Sequence, residues 1–245
     1  MNTIYPRGIR IGLALTLALA LTGCKTDLFS TQDIPEEVKG IAKTSVDYAL
    51  DAHLNATTEG LEELMRELYR LNPEELEKMP TATVDERVAL VLPDRTYDEL
   101  RFGELNSHRG TEAMQLAFEP RFIGDRVFAL MVGIVSQMRI AYNDKLEFFA
   151  LNRLDSENLE NFANNMEIVR VSLERRTGPD GQPIIRHEGD VELLESGLPK
   201  PTPGQILDRL VGHQRVLVSI TSGWRGRAHQ AAVKTMGAVI MLPIP

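Results

Sequence analysis

The chain has 245 residues, of which 43% are hydrophobic and 25% charged, the composition of a folded globular protein and not of a disordered one. Lys and Arg total 27 against 35 Asp and Glu, a formal net charge of -8, so the molecule as a whole repels phosphate backbones and nucleic acid is excluded as a partner. One cysteine and five histidines leave no internal disulfide and no Cys-rich zinc cluster, and neither a metal nor a cofactor is expected.

The N-terminus reads as an address. Arg7 and Arg10 precede an apolar stretch from Ile11 to Leu21, which is signal-peptide length and well short of the roughly 20 residues that a membrane span needs. It ends in Leu21-Thr22-Gly23-Cys24, which resembles the lipobox of bacterial lipoproteins. The resemblance implies that signal peptidase II removes residues 1–23. Cys24 then carries a diacylglycerol on its thiol and an acyl chain on its new amino group, and two or more chains hold a protein firmly in a bilayer. The alternative is a buried free thiol that follows an ordinary signal. Lys25 in place of an aspartate resembles lipoproteins that are sent on to the outer membrane, with inner-membrane retention or surface display left open. Loss of residues 1–23 removes two arginines and no acid, so the mature body is more acidic still.

Residues 24–34 form a short tether that reaches at most roughly 35 Å when extended, and residues 35–245 form the body. Val38, Ile41, Ala42, Tyr48, Ala49 and Ala52 mark a helix that begins near Pro35; Leu61, Leu64, Met65, Leu68 and Leu71 mark a second. Asn72-Pro73-Glu74-Glu75 opens a short helix, and Thr83 with Glu86 is a capping box for another, with stops at Pro80 and Pro93. Residues 94–110 read as a loop. Asp125 to Phe149 is the most apolar segment, and Val127 to Val135 is hydrophobic nearly all round, as in a helix buried at the middle of a bundle. Asp155 or Ser156 caps the next helix, whose stripe is Leu159, Phe162, Met166, Val169 and Leu173. Gly178 to Pro183 is a turn that opens a long Gly- and Pro-containing connection with room for a small hairpin. Thr202 and Pro203 start a helix with Ile206, Leu210, Leu217 and Ile220 on one side, Ser222 to Gly226 reads as a helix–helix turn, and a last helix runs from about Arg225 to Leu242. These patterns predict an all-α fold, a single globular helical bundle of about seven to nine helices with one long connection.

Several polar residues fall where chemistry is conceivable. His213 interrupts the stripe that contains Leu210 and Leu217, and His229 lies on the face of Val233, Met236 and Ile240; each reads as a hydrogen-bonded core histidine or as a ligand or base. Asp125, Arg126, Arg139, Asp144, Lys145 and Glu147 flank the central helix as ion pairs at its ends or as a polar pocket. Arg209, Arg215, Arg225, Arg227 and Lys234 form an acid-free C-terminal stretch, whereas residues 59–77 hold seven glutamates. The basic face either meets anionic lipid, peptidoglycan or an envelope protein, or packs against the acidic helices of its own chain. No Gly-x-Ser-x-Gly elbow, phosphate loop, dinucleotide glycine pattern or His-Glu-x-x-His helix is present, so no catalytic residue is assigned.

Gly110 to Tyr142 (with Ala117-Phe118-Glu119-Pro120 and Gly124-Asp125-Arg126), Asn143 to Arg176 and the apolar C-terminal end together resemble a family of proteobacterial lipoproteins of no assigned activity. That resemblance covers about half of the chain and implies helices and a lipid anchor. The expected function is a noncatalytic binding or assembly component of the envelope, tethered to the periplasmic face of the outer membrane. The alternatives are a lipid or small-molecule carrier with a cavity lined by Phe128, Met131, Met138 and Phe162, and a hydrolase of envelope polymers.

Overall fold

The computed structural model describes residues 43–79, 81–149 and 154–240, with side chains up to residue 223. The signal segment, Cys24, the tether, the expected start of the first helix, Pro80 and residues 241–245 lie outside the described residues. Seven α-helices are present among those described: α1 Ser45–Leu71, α2 Pro73–Glu77, α3 Val84–Val91, α4 Thr111–Ala117, α5 Arg126–Ala141, α6 Ser156–Arg175 and α7 Pro203–Ile240. The fold is all-α. The only β pairing among the described residues is two isolated bridges, Thr177 with Pro183 and Leu193 with Pro199.

Capping chemistry explains most of the helix starts. Thr44 and Asp47 close a reciprocal capping box on α1, and Thr83 and Glu86 do the same for α3. Asp125 accepts from the Phe128 N–H and Asp155 from the Glu157 N–H, which caps α5 and α6. Pro73 occupies the first turn of α2, but the Asn72 side chain makes no cap. Its amide instead donates to the carbonyls of Leu68 and Arg186, and its oxygen accepts from the Arg186 N–H. Asn72 therefore clamps the end of α1 to a segment more than a hundred residues away.

Two expected breaks are absent. Residues 45–71 form one helix where the apolar pattern predicts two, because nothing between Ala52 and Leu61 stops it: Thr57 and Thr58 return their hydroxyls to the carbonyls of His53 and Leu54. Ser222 to Gly226 is not a turn, and α7 runs on through it. Glycine costs a helix about 1 kcal/mol but removes no backbone donor, so without a proline the ladder continues.

Helix α5 is the hub. Every residue from Val127 to Ser136 is buried, and α4, α6 and α1 pack around it, with α7 laid against α6 and α1. Two glycines permit close approach. Gly133 on α5 faces Met114 of α4 and the carbonyl of Gly110 that precedes it, and Gly60 on α1 faces Leu210 of α7. Gly110, just before α4, has φ +59°, a left-handed conformation that disfavours side chains. The α6 stripe Leu159, Phe162, Met166, Val169 and Leu173 is wholly buried. Along the described part of α7 the buried positions are Pro203, Ile206, Leu207, Leu210, Gln214, Leu217 and Thr221. His213 and Ile220 are exposed, so the polar interruption of this stripe is Gln214, and the expected core histidine lies one position off the inward face.

Candidate functional site

The six polar residues read as flanking the central helix separate into two groups at the ends of α5, roughly 24 Å apart for a helix of 16 residues. At the N-terminal end, Asp125 is fully buried and accepts from the Tyr69 hydroxyl at 2.6 Å, from Arg87 at 3.0 Å and from the Phe128 N–H at 2.9 Å. All three partners are donors, so Asp125 serves purely as an acceptor, as a carboxylate does. Arg87 is itself buried, forks onto Glu104 at 2.7 and 2.9 Å, and lies 3.4 Å over the Phe128 ring. Burial holds the Asp125 carboxyl above its ordinary range, against the opposing pull of Tyr69, the Phe128 N–H and Arg87. Burial also acts to lower the Arg87 pKa, but its bonds to Glu104 and Tyr69 and the charge of Asp125 prevail and raise it. Tyr69 is raised by burial and by Asp125, so it stays a phenol and a donor. Arg126 stands apart from this group. It donates to the carbonyls of Ala117, Glu119, Pro120 and Phe122, fastening the turn that leads from α4 into α5.

At the C-terminal end, buried Arg139 donates to the Pro93 and Lys145 carbonyls. Asp144 accepts from the Tyr97 N–H at 2.8 Å, and Glu147 pairs with Lys43 at 3.3 Å. These contacts fix loops, and they gather no pair of carboxylates over a shared cleft. Among the described residues no group of three or more His, Cys, Asp or Glu side chains is placed to hold a metal ion. No helix there is long and apolar enough to cross a membrane.

A second buried polar group joins three helices that the sequence shows only as separate patterns. The Tyr142 hydroxyl lies 2.7 Å from His53 Nδ1 and accepts from Gln214 Nε2 at 2.7 Å; His53 Nε2 lies 3.0 Å from the His213 carbonyl. A carbonyl only accepts, so His53 carries its proton on Nε2, and Nδ1 accepts from Tyr142. Burial pushes the Tyr142 phenol up to about 12 and lowers the His53 pKa. No carboxylate bonds to this imidazole. A histidine depressed in the fold binds its proton less tightly there than in the unfolded chain. Its stabilising contribution is therefore complete above about pH 6.5 and is lost as pH falls toward the folded-state value. The urea midpoint should fall between pH 7.5 and 5.0 more steeply in the wild type than in His53→Gln, and equal slopes would remove His53 as the cause.

Of the C-terminal basic stretch, the two side chains that are described are both engaged within the chain. Arg209 pairs with Glu63 of α1. Arg215 pairs with Glu167 at 2.9 Å and donates to Asn164 at 2.7 Å, both on α6. The side chains of Arg225, Arg227, His229 and Lys234 lie outside the described residues. Phe128, Met131, Met138 and Phe162, expected to line a carrier cavity, are instead packed into the contiguous core.

Open space is found on the surface. A half-open groove of about 500 Å³ runs between α4 and α6, floored by Met114, Phe118, Pro120, Ile168 and Val169, with Arg176 at one end. Elsewhere the connection before α7 folds into a small hairpin. The Lys200 N–H donates to the Glu192 carbonyl at 2.7 Å and the Leu194 N–H to the Leu198 carbonyl at 2.8 Å. Val191, Leu193 and Leu198 on it are 75%, 62% and 63% exposed. Lys200 and Glu192 hold this hairpin to Glu67 and Arg70 at the end of α1. Compared with protein-family models, curated proteins and solved structures, the chain matches none of them.

Proposed function

We propose that this protein is a lipid-anchored component of the bacterial cell envelope that acts by binding and not by catalysis. In this reading Cys24 carries the diacylglycerol and acyl chains, and the helical body sits at the periplasmic face of the outer membrane. The lipobox Leu21-Thr22-Gly23-Cys24 supports the anchor. The 191–198 hairpin supports the binding role. Four large apolar side chains, Val191, Leu193, Leu194 and Leu198, stand in water on a backbone already fixed by hydrogen bonds, and an exposed apolar cluster on an ordered element marks an interaction surface.

Its surroundings favour a protein partner over a lipid surface. Glu188, Asp190 and Glu195 are exposed around the hairpin and form no ion pair among the described residues, so anionic lipid is repelled. An apolar recess rimmed by lysine and arginine is the complementary shape and charge.

A photocrosslinking residue placed at Leu193 tests both halves of the reading in cells. The acylated protein should capture one defined envelope protein. Cys24→Ser exported by an ordinary signal should carry no labelled fatty acid and lose that product. Lipid labelling of Cys24→Ser would overturn the anchor, and recovery of the uncrosslinked protein alone would overturn the hairpin as the contact.

A further inference from the structure

The groove between α4 and α6 is a second site of different chemistry, independent of how the hairpin is used. Its volume, about 500 Å³, lies in the range of small-ligand pockets. Its floor is apolar, with Met114 and Phe118 from the α4 side, Pro120 beyond them, and Ile168 and Val169 from α6. Ile168 is 62% exposed, an apolar side chain left in water in the middle of a helix.

Polar groups with open bonding capacity stand around this floor. Asn165 donates one amide hydrogen to Gln137, and its carbonyl oxygen has no hydrogen-bond partner among the described residues. The side chains of Gln115 and Ser172 line the same space and form no hydrogen bond among the described residues. At the α6 end, Arg175 and Arg176 make no ion pair or side-chain hydrogen bond among the described residues, whereas Arg170 on α6 and Arg215 on α7 are each paired with acids. Glu119 also lines the groove; its charge acts on Arg126, and it forms no ion pair with Arg176 among the described residues. Arg176 is thus the cation of the groove that no acid answers, and a second guanidinium beside it offsets the negative end of the α6 dipole.

We propose that the groove binds the C-terminus of a short peptide that ends in an apolar residue. The terminal carboxylate meets the Arg176 guanidinium, which can fork onto both of its oxygens. The last side chain lies on Met114, Phe118 and Ile168, and the peptide amides bond to Asn165 and Gln115. A plain fatty acid would satisfy the floor and the arginine but would cover Asn165, Gln115 and Ser172 without giving them partners, which is costly. The amides therefore select a peptide over a lipid tail.

The test uses the full-length protein in lipid nanodiscs and a fluorescein-labelled tetrapeptide that ends in leucine, read by fluorescence polarisation. The free-acid peptide should bind saturably, and its C-terminal carboxamide should bind at least about tenfold more weakly. Arg176→Gln should abolish that difference, and Ile168→Lys should remove binding of both forms. Both side chains lie at the surface, and an unchanged circular dichroism spectrum separates lost binding from lost folding. Equal affinity of acid and amide, an acid preference that survives Arg176→Gln, or no saturable binding would each overturn the proposal. Dodecanoate binding that requires Arg176, with no peptide binding, would assign the groove to lipid and overturn it as well.

Discussion

Arg87→Met should cost the protein about 3–5 kcal/mol of stability, the loss that follows when one partner of a buried ion pair is removed. Methionine fills much of the space of the arginine stem but leaves the carboxylate of Asp125, fully buried, with only neutral donors, and Glu104 without its fork. For a body of roughly 200 residues this corresponds to a fall in Tm of about 6–20 °C. The decisive comparison is the double variant. Asp125→Asn removes the charge and keeps a side chain that caps α5, so Arg87→Met/Asp125→Asn should be less destabilised than the sum of the single variants. Additive losses in thermal or urea unfolding would show that Arg87 acts through its packing on Phe128 and not through its charge.

Gly133→Ala should also destabilise, although alanine is the better helix former by about 1 kcal/mol. A methyl group there would stand 2.5 Å from Met114 Cγ, 2.7 Å from the Met114 backbone nitrogen and 2.8 Å from the Gly110 carbonyl oxygen. A methionine side chain can move aside, but the two backbone atoms yield only if α4 separates from α5. Overpacking of this kind costs about 1–3 kcal/mol, so against the helix gain alanine should lose up to about 2 kcal/mol net, and the larger Gly133→Val should lose more. A urea midpoint at or above that of the wild type for Gly133→Ala would mean that α4 is free to shift. Met114 also floors the α4–α6 groove, so the same substitution should weaken peptide binding there.

What could be read from the sequence is what local spacing encodes. The box of Thr83 with Glu86, the cap by Asp155 and the five-residue stripe of α6 each lie within a few turns of chain, and the structure holds all of them. The extent of α1 and α7 was less legible, since a polar or glycine-containing stretch looks like a break until the backbone is seen to pass through it. In α7 the residues Ile206, Leu210 and Leu217 lie on the buried face as their spacing predicts, but the face takes Gln214 and Thr221 where His213 and Ile220 are expected.

The polar interior was hidden for a different reason. Arg87 is 17, 18 and 38 residues from Glu104, Tyr69 and Asp125, and Gln214 is 72 residues from Tyr142. No spacing rule joins them. A faint sign was present in Arg87 itself, a charged residue next to Val88 on an eight-residue helix whose buried positions are Arg87, Val88 and Val91. The groove depends likewise on the tertiary approach of α4 to α6. That no acid meets Arg176 is also a tertiary fact, which no local spacing encodes.

The contacts between α1 and α7 set the order in which the chain can close. His53 meets the His213 backbone across 160 positions, Gln214 reaches Thr57 across 157, Arg209 reaches Glu63 across 146, and Gly60 is shaped to receive Leu210. The first described helix therefore waits for the last one to cover it. Until residues beyond 203 have been made, one side of α1 has nothing to pack against, and pairings so remote in sequence form slowly. Under the proposed export such a layout is of use, because the earliest helix cannot be locked into the finished core while the final helix is still on the other side of the membrane.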